Sequence, residues 1–185
     1  MRETIVANRY AKALFELSIE MNLVEQIYKD NQLVLEVCNQ NPEFIIMLRS
    51  PVIKDRKKLS IIREIFEKKI HELTFKFMAI ITKNSRESLL AEIARQFIAI
   101  YKEFKNIVPA HLATAATIDA ETRNTIIALL EDRTDTTIEL TEEIKEDLIG
   151  GFVLTMQDKQ YDASVLTQIK NLRKDFKVNL YVKGF

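Results

Sequence analysis

The chain has 185 residues, of which 47% are hydrophobic and 29% charged, a composition typical of one large or two small globular domains. Lys plus Arg and Asp plus Glu number 27 each, so the chain lacks the overall positive charge that attracts nucleic acid or an anionic membrane. Apolar runs such as Phe44–Leu48 are far shorter than the roughly 20 residues of a membrane-spanning helix. We therefore expect a soluble protein, or one held at a membrane through a partner, with no nucleic acid and no direct membrane insertion.

The first part of the chain has a helical pattern. From Thr4 to Lys105, apolar residues recur at intervals of three and four with few turn signals. This pattern predicts six helices, at residues 4–21, 23–40, 42–49, 54–69, 71–84 and 86–105. Because the predicted connections are short, neighbouring helices are expected to pack antiparallel as a bundle.

The pattern changes after Asn106. The segments IVPAHLATAATI, TTIELT and GGFVLTM read as strands, and AETRNTIIALLEDR and ASVLTQIKNLRKDF read as helices, the second capped by Asp162 or Ser164. The predicted fold class is therefore mainly α with a small α/β part. An N-terminal six-helix bundle at residues 1–106 is followed by a small C-terminal α/β domain at residues 107–185.

Charge is distributed unevenly between these two parts. Residues 1–106 carry 18 Lys and Arg against 14 Asp and Glu, net +4, and residues 107–185 carry 9 against 13, net −4. Different partners for the two parts would explain this, and so would ordinary solvated faces. The basic cluster Lys54–Lys58 is interpreted as a solvated face. The acidic residues of Glu131–Asp147 lack the spacing of a calcium loop.

Residue patterns that would indicate catalysis are missing. His71 and His111 lie in different predicted domains, without Cys or His at metal-ligand spacing, and each is interpreted as a surface or packing residue. Cys38, the only cysteine, is interpreted as a small buried hydrophobic residue. Gly150 and Gly151 lead into a predicted strand, whereas a phosphate-binding loop leads into a helix. We therefore expect no enzyme activity, no cofactor, and no catalytic or metal-binding residue.

The first and fifth predicted helices are unusually apolar. With about 100° between successive residues, the polar residues of each helix occupy a narrow wedge and apolar residues cover most of the remaining circumference. A surface helix needs only one apolar stripe. These two helices are therefore either central in the bundle, or they expose a second apolar face that could receive an amphipathic helix of a partner.

Several segments resemble one family. ANRYAKALFEL at Ala7–Leu17 and LIGGFVLTMQDKQYDASV at Leu148–Val165 are similar to segments of the delta subunits of bacterial F-type ATP synthases, the counterparts of the mitochondrial oligomycin-sensitivity-conferring protein. Weaker matches, LRSP at Leu48–Pro51 and KNSRESLL at Lys83–Leu90, follow in the expected order. Gln157 and Ala163 depart from the pattern, because the family often has glycine at both positions. The tail from Val178 to Phe185 is poorly covered; its alternation is compatible with a strand, and no role is assigned to it.

The resemblance implies a non-catalytic stator subunit of a proton- or sodium-translocating ATP synthase. It would link the N-terminal helix of the alpha subunit of F1 to the C-terminal end of the b subunit of Fo, at the cytoplasmic face of the bacterial inner membrane. A groove formed largely by the first and fifth helices would hold the alpha-subunit helix, and the C-terminal domain would hold the b subunit. The candidate groove residues are Val6, Tyr10, Leu14, Phe77, Met78 and Ile81. The candidate structural-turn residues are Gly150, Gly151, Asp158 and Asp162.

Two alternatives remain open from the residues alone. A helical adaptor outside the synthase could use the same groove for another amphipathic helix. Ordinary core burial also accounts for each candidate groove residue. An enzyme built on the C-terminal α/β part is disfavoured, because neither a phosphate-binding loop nor a constellation of catalytic side chains is present in the sequence.

Overall fold

The computed structural model describes residues 2–134 and 136–177, without the side chains of residues 2, 3, 132–134 and 175–177. The tail from Val178 to Phe185, whose alternation is compatible with a strand, lies outside the described residues. The chain divides into two compact units, unit 1 at Met1–Phe104 and unit 2 at Lys105–Phe185. Over the described residues it is mainly helical with a small mixed sheet, which is the predicted fold class in its coarse form.

Unit 1 is built from helices that agree with the predicted ranges to within about three residues at most ends. They are α1 (Arg2–Glu20), α2 (Val24–Gln40), α3 (Pro42–Arg49), α4 (Asp55–Phe66), α5 (Glu72–Lys83) and α6 (Leu90–Phe104). A 3₁₀ turn at Glu87–Leu89 precedes α6, where the sequence predicted continuous helix from residue 86. Pro42 starts α3 at a position where its missing N–H costs no hydrogen bond.

The core of unit 1 is centred on α6, which packs against both α1 and α2. Phe97 of α6 is fully buried, and the Phe15 ring of α1 meets it edge to face at 5.6 Å between centroids. Tyr28 of α2 stacks on Tyr101 of α6 at 3.8 Å, and the Tyr101 hydroxyl donates a hydrogen bond to Glu25. Cys38 is also buried, as predicted, and burial raises the pKa of its thiol to about 11, so the thiol is unreactive at neutral pH.

The interpretation of Lys54–Lys58 as a solvated face is wrong for Lys58, which is 3% exposed. Its ammonium group pairs with the buried carboxylate of Glu87 and donates a 2.8 Å hydrogen bond to the carbonyl of Leu48, near the end of α3. A positive charge is favourable there, because the last carbonyls of a helix carry partial negative charge. The sequence could not show this pairing, since Glu87 lies 29 residues away.

Unit 2 contains four described strands and two described α-helices, with a short 3₁₀ turn at Glu146–Leu148. They are β1 (Ile107–Thr114), α7 (Ala120–Thr134), β2 (Thr137–Ile144), β3 (Phe152–Met156), β4 (Lys159–Asp162) and α8 (Val165–Lys177). The strand order is β2-β1-β3-β4, with β1 parallel to β2 and the other neighbours antiparallel. Strand β4 was not predicted, because its four residues are exposed and carry no apolar alternation.

One face of the sheet forms the core of unit 2. Ala110 and Leu112 of β1 and Ile138 and Leu140 of β2 are buried in a single cluster. The apolar side chains of α7 pack against this cluster, so the helix that connects the two parallel strands also covers the sheet.

Candidate functional site

Helix α1 carries two apolar strips side by side. Its core strip consists of Ala7, Ala11 and Leu14, all at most 1% exposed. The second strip follows at intervals of four, three and four residues, which places its members on one helix face. It consists of Val6 and Tyr10, both half-buried, and Ala13 and Leu17, both exposed.

Helix α5 repeats this arrangement. Thr74, Met78, Ile81 and Thr82 are buried in the core of unit 1. Beside them lies a second strip at intervals of four and three residues, in which Leu73 and Phe77 are half-buried and Ile80 is 56% exposed.

The second strips of α1 and α5 meet at an aromatic pair. The Tyr10 and Phe77 rings lie edge to face, with centroids 6.3 Å apart and planes at 70°. Offset and edge-to-face pairs of this kind are favourable because the positive ring edge meets the negative ring face. We name the seven residues of the two strips the α1–α5 surface: Val6, Tyr10, Ala13, Leu17, Leu73, Phe77 and Ile80.

Arg86 borders the α1–α5 surface just after α5 ends. The helix closes with Ser85 in a left-handed conformation (φ 54°), and the Ser85 and Arg86 amides donate to the carbonyls of Thr82 and Ile81. This turn directs Arg86 towards α1. Its Nη1 donates a 2.6 Å hydrogen bond to the Tyr10 hydroxyl, and its guanidinium carbon lies 5.6 Å from the centre of the Tyr10 ring.

The other end of α5 is held by Asp30 of α2, a buried carboxylate. Asp30 accepts hydrogen bonds from the His71 backbone amide at 2.9 Å and from the Thr74 hydroxyl at 2.6 Å. His71 is the N-cap of α5, and its Nδ1 accepts the Leu73 amide. These bonds satisfy amides that the first turn of a helix leaves unpaired, so they fix the position of the α5 strip.

The six candidate groove residues fall into two classes. Val6, Tyr10 and Phe77 are half-buried members of the α1–α5 surface. Leu14, Met78 and Ile81 are 1%, 2% and 0% exposed and lie in the core beneath it. The exposed members Ala13, Leu17 and Ile80 were not among the candidates. Their spacing in the sequence was visible, but spacing alone does not show which of two adjacent apolar strips faces the core.

Unit 2 has an apolar groove of about 740 Å³ between α7 and the β3–β4 hairpin, which we name the α7–β4 groove. Leu112 and Leu154 of the sheet belong to the lining, and Leu129 of α7 and Tyr161 of β4 are 57% and 65% exposed. Phe152 is partly exposed and contacts the Tyr161 ring at 6.1 Å. Large apolar side chains in a concave surface are typical of a protein-binding site.

The structure brings three of the four turn residues together. Gly151 has φ +74°, and a Cβ atom there would lie 2.2 Å from the carbonyl oxygen of Ala163. Asp162 accepts hydrogen bonds from the Ser164 amide at 2.9 Å and hydroxyl at 2.7 Å and from the Thr167 hydroxyl at 2.7 Å. These hydrogen bonds lower the pKa of the Asp162 carboxyl, with Ser164 as the main cause. Gly150 joins this site through its carbonyl, which accepts the Val165 amide at 3.0 Å.

Asp158, the fourth predicted turn residue, lies elsewhere, in the two-residue turn of the β3–β4 hairpin. Its neighbour Gln157 has φ 51°, a left-handed conformation that favours glycine. Gln157 is therefore accommodated at the cost of local strain. Ala163, the other departure from the glycine pattern, is not among the described residues with left-handed backbone.

Within residues 2–134 and 136–177, no group of three or more His, Cys, Asp or Glu side chains is arranged to hold a metal ion. Over the same part of the chain, no helix combines the length and apolar character needed to cross a membrane.

Comparisons with known proteins agree on one family. The family model described as "ATP synthase delta (OSCP) subunit" matches residues 6–176. ATP synthase subunit delta of Christiangramia forsetii is 37% identical over 182 residues, 98% of each chain, and that of Salinibacter ruber is 33% identical over 169 residues, 91% of this chain and 89% of the relative. A chain of the Toxoplasma gondii mitochondrial ATP synthase hexamer superposes with a TM-score of 0.68 at 26% identity, covering 92% of this chain and 96% of that one.

Proposed function

Because the chain belongs to the ATP synthase delta (OSCP) subunit family, it is a non-catalytic stator subunit of F-type ATP synthase, and we propose that its two units hold two different partners. Unit 1, acting as a six-helix bundle, binds the N-terminal helix of an alpha subunit of F1. Unit 2 binds the C-terminal end of the b subunit of Fo. The complex then holds the protein at the cytoplasmic face of the membrane. With the family identified, no observation favours an adaptor outside the synthase.

The α1–α5 surface is the observation that supports the first partner. Two apolar strips of adjacent helices meet at Tyr10 and Phe77 and leave Leu17 and Ile80 in water. An amphipathic helix laid along such a seam anchors its own apolar residues at intervals of three and four. Each 100 Å² of apolar surface removed from water contributes about 2.5 kcal/mol before the cost of ordering the helix.

The α7–β4 groove is the observation that supports the second partner. It lies in unit 2 and the α1–α5 surface lies in unit 1, so the two partners have separate surfaces. Leu129 and Tyr161 line it and are largely exposed, so an apolar side chain of the stalk can be buried against them between α7 and β4. The two sites thus connect head and stalk through one folded chain, with no bond made or broken.

The first test measures binding of a synthetic peptide, the N-terminal helix of the alpha subunit from the same genome, to the full-length chain by calorimetry. Ile80→Glu places a charge on the α1–α5 surface, and we expect it to weaken binding at least about tenfold, equivalent to about 1.4 kcal/mol. Ile46→Glu is the matched control, because Ile46 of α3 is 68% exposed and lies outside the surface. Equal binding by both variants would refute the assignment of the surface.

The second test uses a peptide from the C-terminal end of the b subunit. Leu129→Asp is expected to weaken its binding about tenfold or more, whereas Leu172→Asp, at a 56% exposed position of α8 outside the groove lining, leaves it unchanged. Both variants should bind the alpha-subunit peptide normally. Loss of b-peptide binding in the Leu172 variant alone would move the stalk site from the groove to α8.

A further inference from the structure

Arg86 is a cation at the edge of the apolar α1–α5 surface. Among the described residues, no carboxylate forms an ion pair with it, whereas Lys76 of α5 pairs with Glu72 at 2.7 Å. Its one described side-chain hydrogen bond goes to the neutral Tyr10 hydroxyl. The side chain is exposed, so its other N–H groups remain open to a partner.

The guanidinium is nevertheless held in place. The hydrogen bond and the contact with the Tyr10 ring fix it from the side of α1, and the left-handed turn at Ser85 fixes its backbone. A guanidinium that is already positioned loses less conformational entropy when it binds a carboxylate through two parallel N–H bonds.

Resting on the function proposed above, we propose that Arg86 pairs with a carboxylate of the docked helix and thereby fixes the direction and register of that helix on the α1–α5 surface. The apolar strips supply affinity but little orientation, because they allow a helix to lie in either direction. One charge-assisted pair at a fixed point removes that ambiguity.

The charges along α1 indicate which direction the docked helix takes. Arg9, which directly precedes Tyr10 on α1, is exposed and forms no ion pair with a described carboxylate. Along α1, Glu16 and Glu20 follow Tyr10 by about 9 and 15 Å. The surface is therefore positive beside Tyr10 and negative towards the end of α1, and a helix with its acidic residues at the positive end is complementary to it.

The test is a double-mutant cycle with the full-length chain and the alpha-subunit peptide. Arg86→Gln removes the charge, and we expect it to weaken binding about tenfold and to make binding less sensitive to salt. Changing one Asp or Glu of the peptide to its amide should cause a similar loss in the wild type and almost none in the Arg86→Gln variant. Thermal unfolding of the variant should match the wild type.

A control separates the charge from the support of Tyr10. Tyr10→Phe removes the hydrogen bond to Arg86 but keeps the ring and the cation, so its affinity should fall less than threefold or so. Three outcomes overturn the proposal: Arg86→Gln binds like the wild type, no peptide carboxylate couples to Arg86, or a peptide with every carboxylate changed to its amide binds as tightly as the unchanged peptide. If the wild-type chain does not bind the peptide at all, the proposed function itself fails. If the wild type binds the peptide but Arg86 does not couple to a carboxylate, only the proposal about Arg86 fails.

Discussion

Gly151 is the position where a single methyl group should do most damage to unit 2. A Cβ atom there would lie 2.2 Å from the Ala163 carbonyl oxygen and 3.1 Å from the Ser164 Cα, and both neighbours are backbone atoms that cannot rotate away. The backbone of Gly151 also has φ +74°, which disfavours any side chain. Gly151→Ala must therefore displace the start of α8 from β3.

The expected loss has two parts. The left-handed conformation costs alanine about 1 kcal/mol relative to glycine, and forcing a methyl group into packed backbone costs about 1–3 kcal/mol. The sum, about 2–4 kcal/mol, corresponds to a decrease in Tm of roughly 10–30 °C for a unit of this size. Thermal unfolding followed by NMR signals of unit 2, with urea denaturation for the free energy, would measure it.

Gly150→Ala is the matched control. A Cβ atom at Gly150 would meet only the side chain of Val165, with Cγ2 nearest at 3.0 Å, and the backbone there is not left-handed, so we expect a loss of about 1 kcal/mol or less. If Gly151→Ala is as stable as Gly150→Ala, close backbone approach is not the reason for glycine at position 151. Alpha-peptide binding should survive in both variants, because its site lies in unit 1.

Three further predictions concern single side chains. Asp30→Ala leaves the His71 amide and Thr74 hydroxyl without their acceptor and should lower the free energy of unfolding by about 2–4 kcal/mol in urea denaturation; a loss below about 0.5 kcal/mol would contradict this. Gln157→Gly relieves a left-handed backbone and should raise stability by about 0.5–1 kcal/mol, whereas an unchanged Tm would show that the hairpin turn is unstrained. The folded-state pKa of Asp162 lies below its usual value of 3.8, so its contribution is present above about pH 4 and is lost as the pH falls through the folded pKa. Asp162→Asn should therefore reduce the decrease in the urea midpoint between pH 6 and pH 2, and an unchanged decrease would contradict the assignment.

Regular patterns made most of the fold predictable. Helices such as α2 and α6 follow from apolar spacing, and the change at Asn106 from intervals of three and four to alternation marks where helices give way to strands. Strand β4 escaped prediction because it is short and polar, and its pairing with β3 depends on the hairpin rather than on burial.

The candidate site was predictable in part for the same reason. An excess of apolar residues on α1 and α5 could be read from the sequence, but the assignment of Leu14 to the core and Leu17 to the surface could not. Both belong to apolar strips with helical spacing, and only the helices packed against α1 decide which strip is covered. The role of Arg86 was hidden for a similar reason, since Tyr10 lies 76 residues away.

The sequence by itself determined the helical and alternating segments, the lack of a recognisable catalytic constellation and the family, because these depend on local spacing and on residue identity. Tertiary structure decided which apolar strip remained in water, which lysine entered the core, and why Gly151 has no side chain. These properties depend on contacts between residues far apart in the chain. Spacing showed that α1 had more apolar surface than one core contact needs, and packing showed where that surface lies.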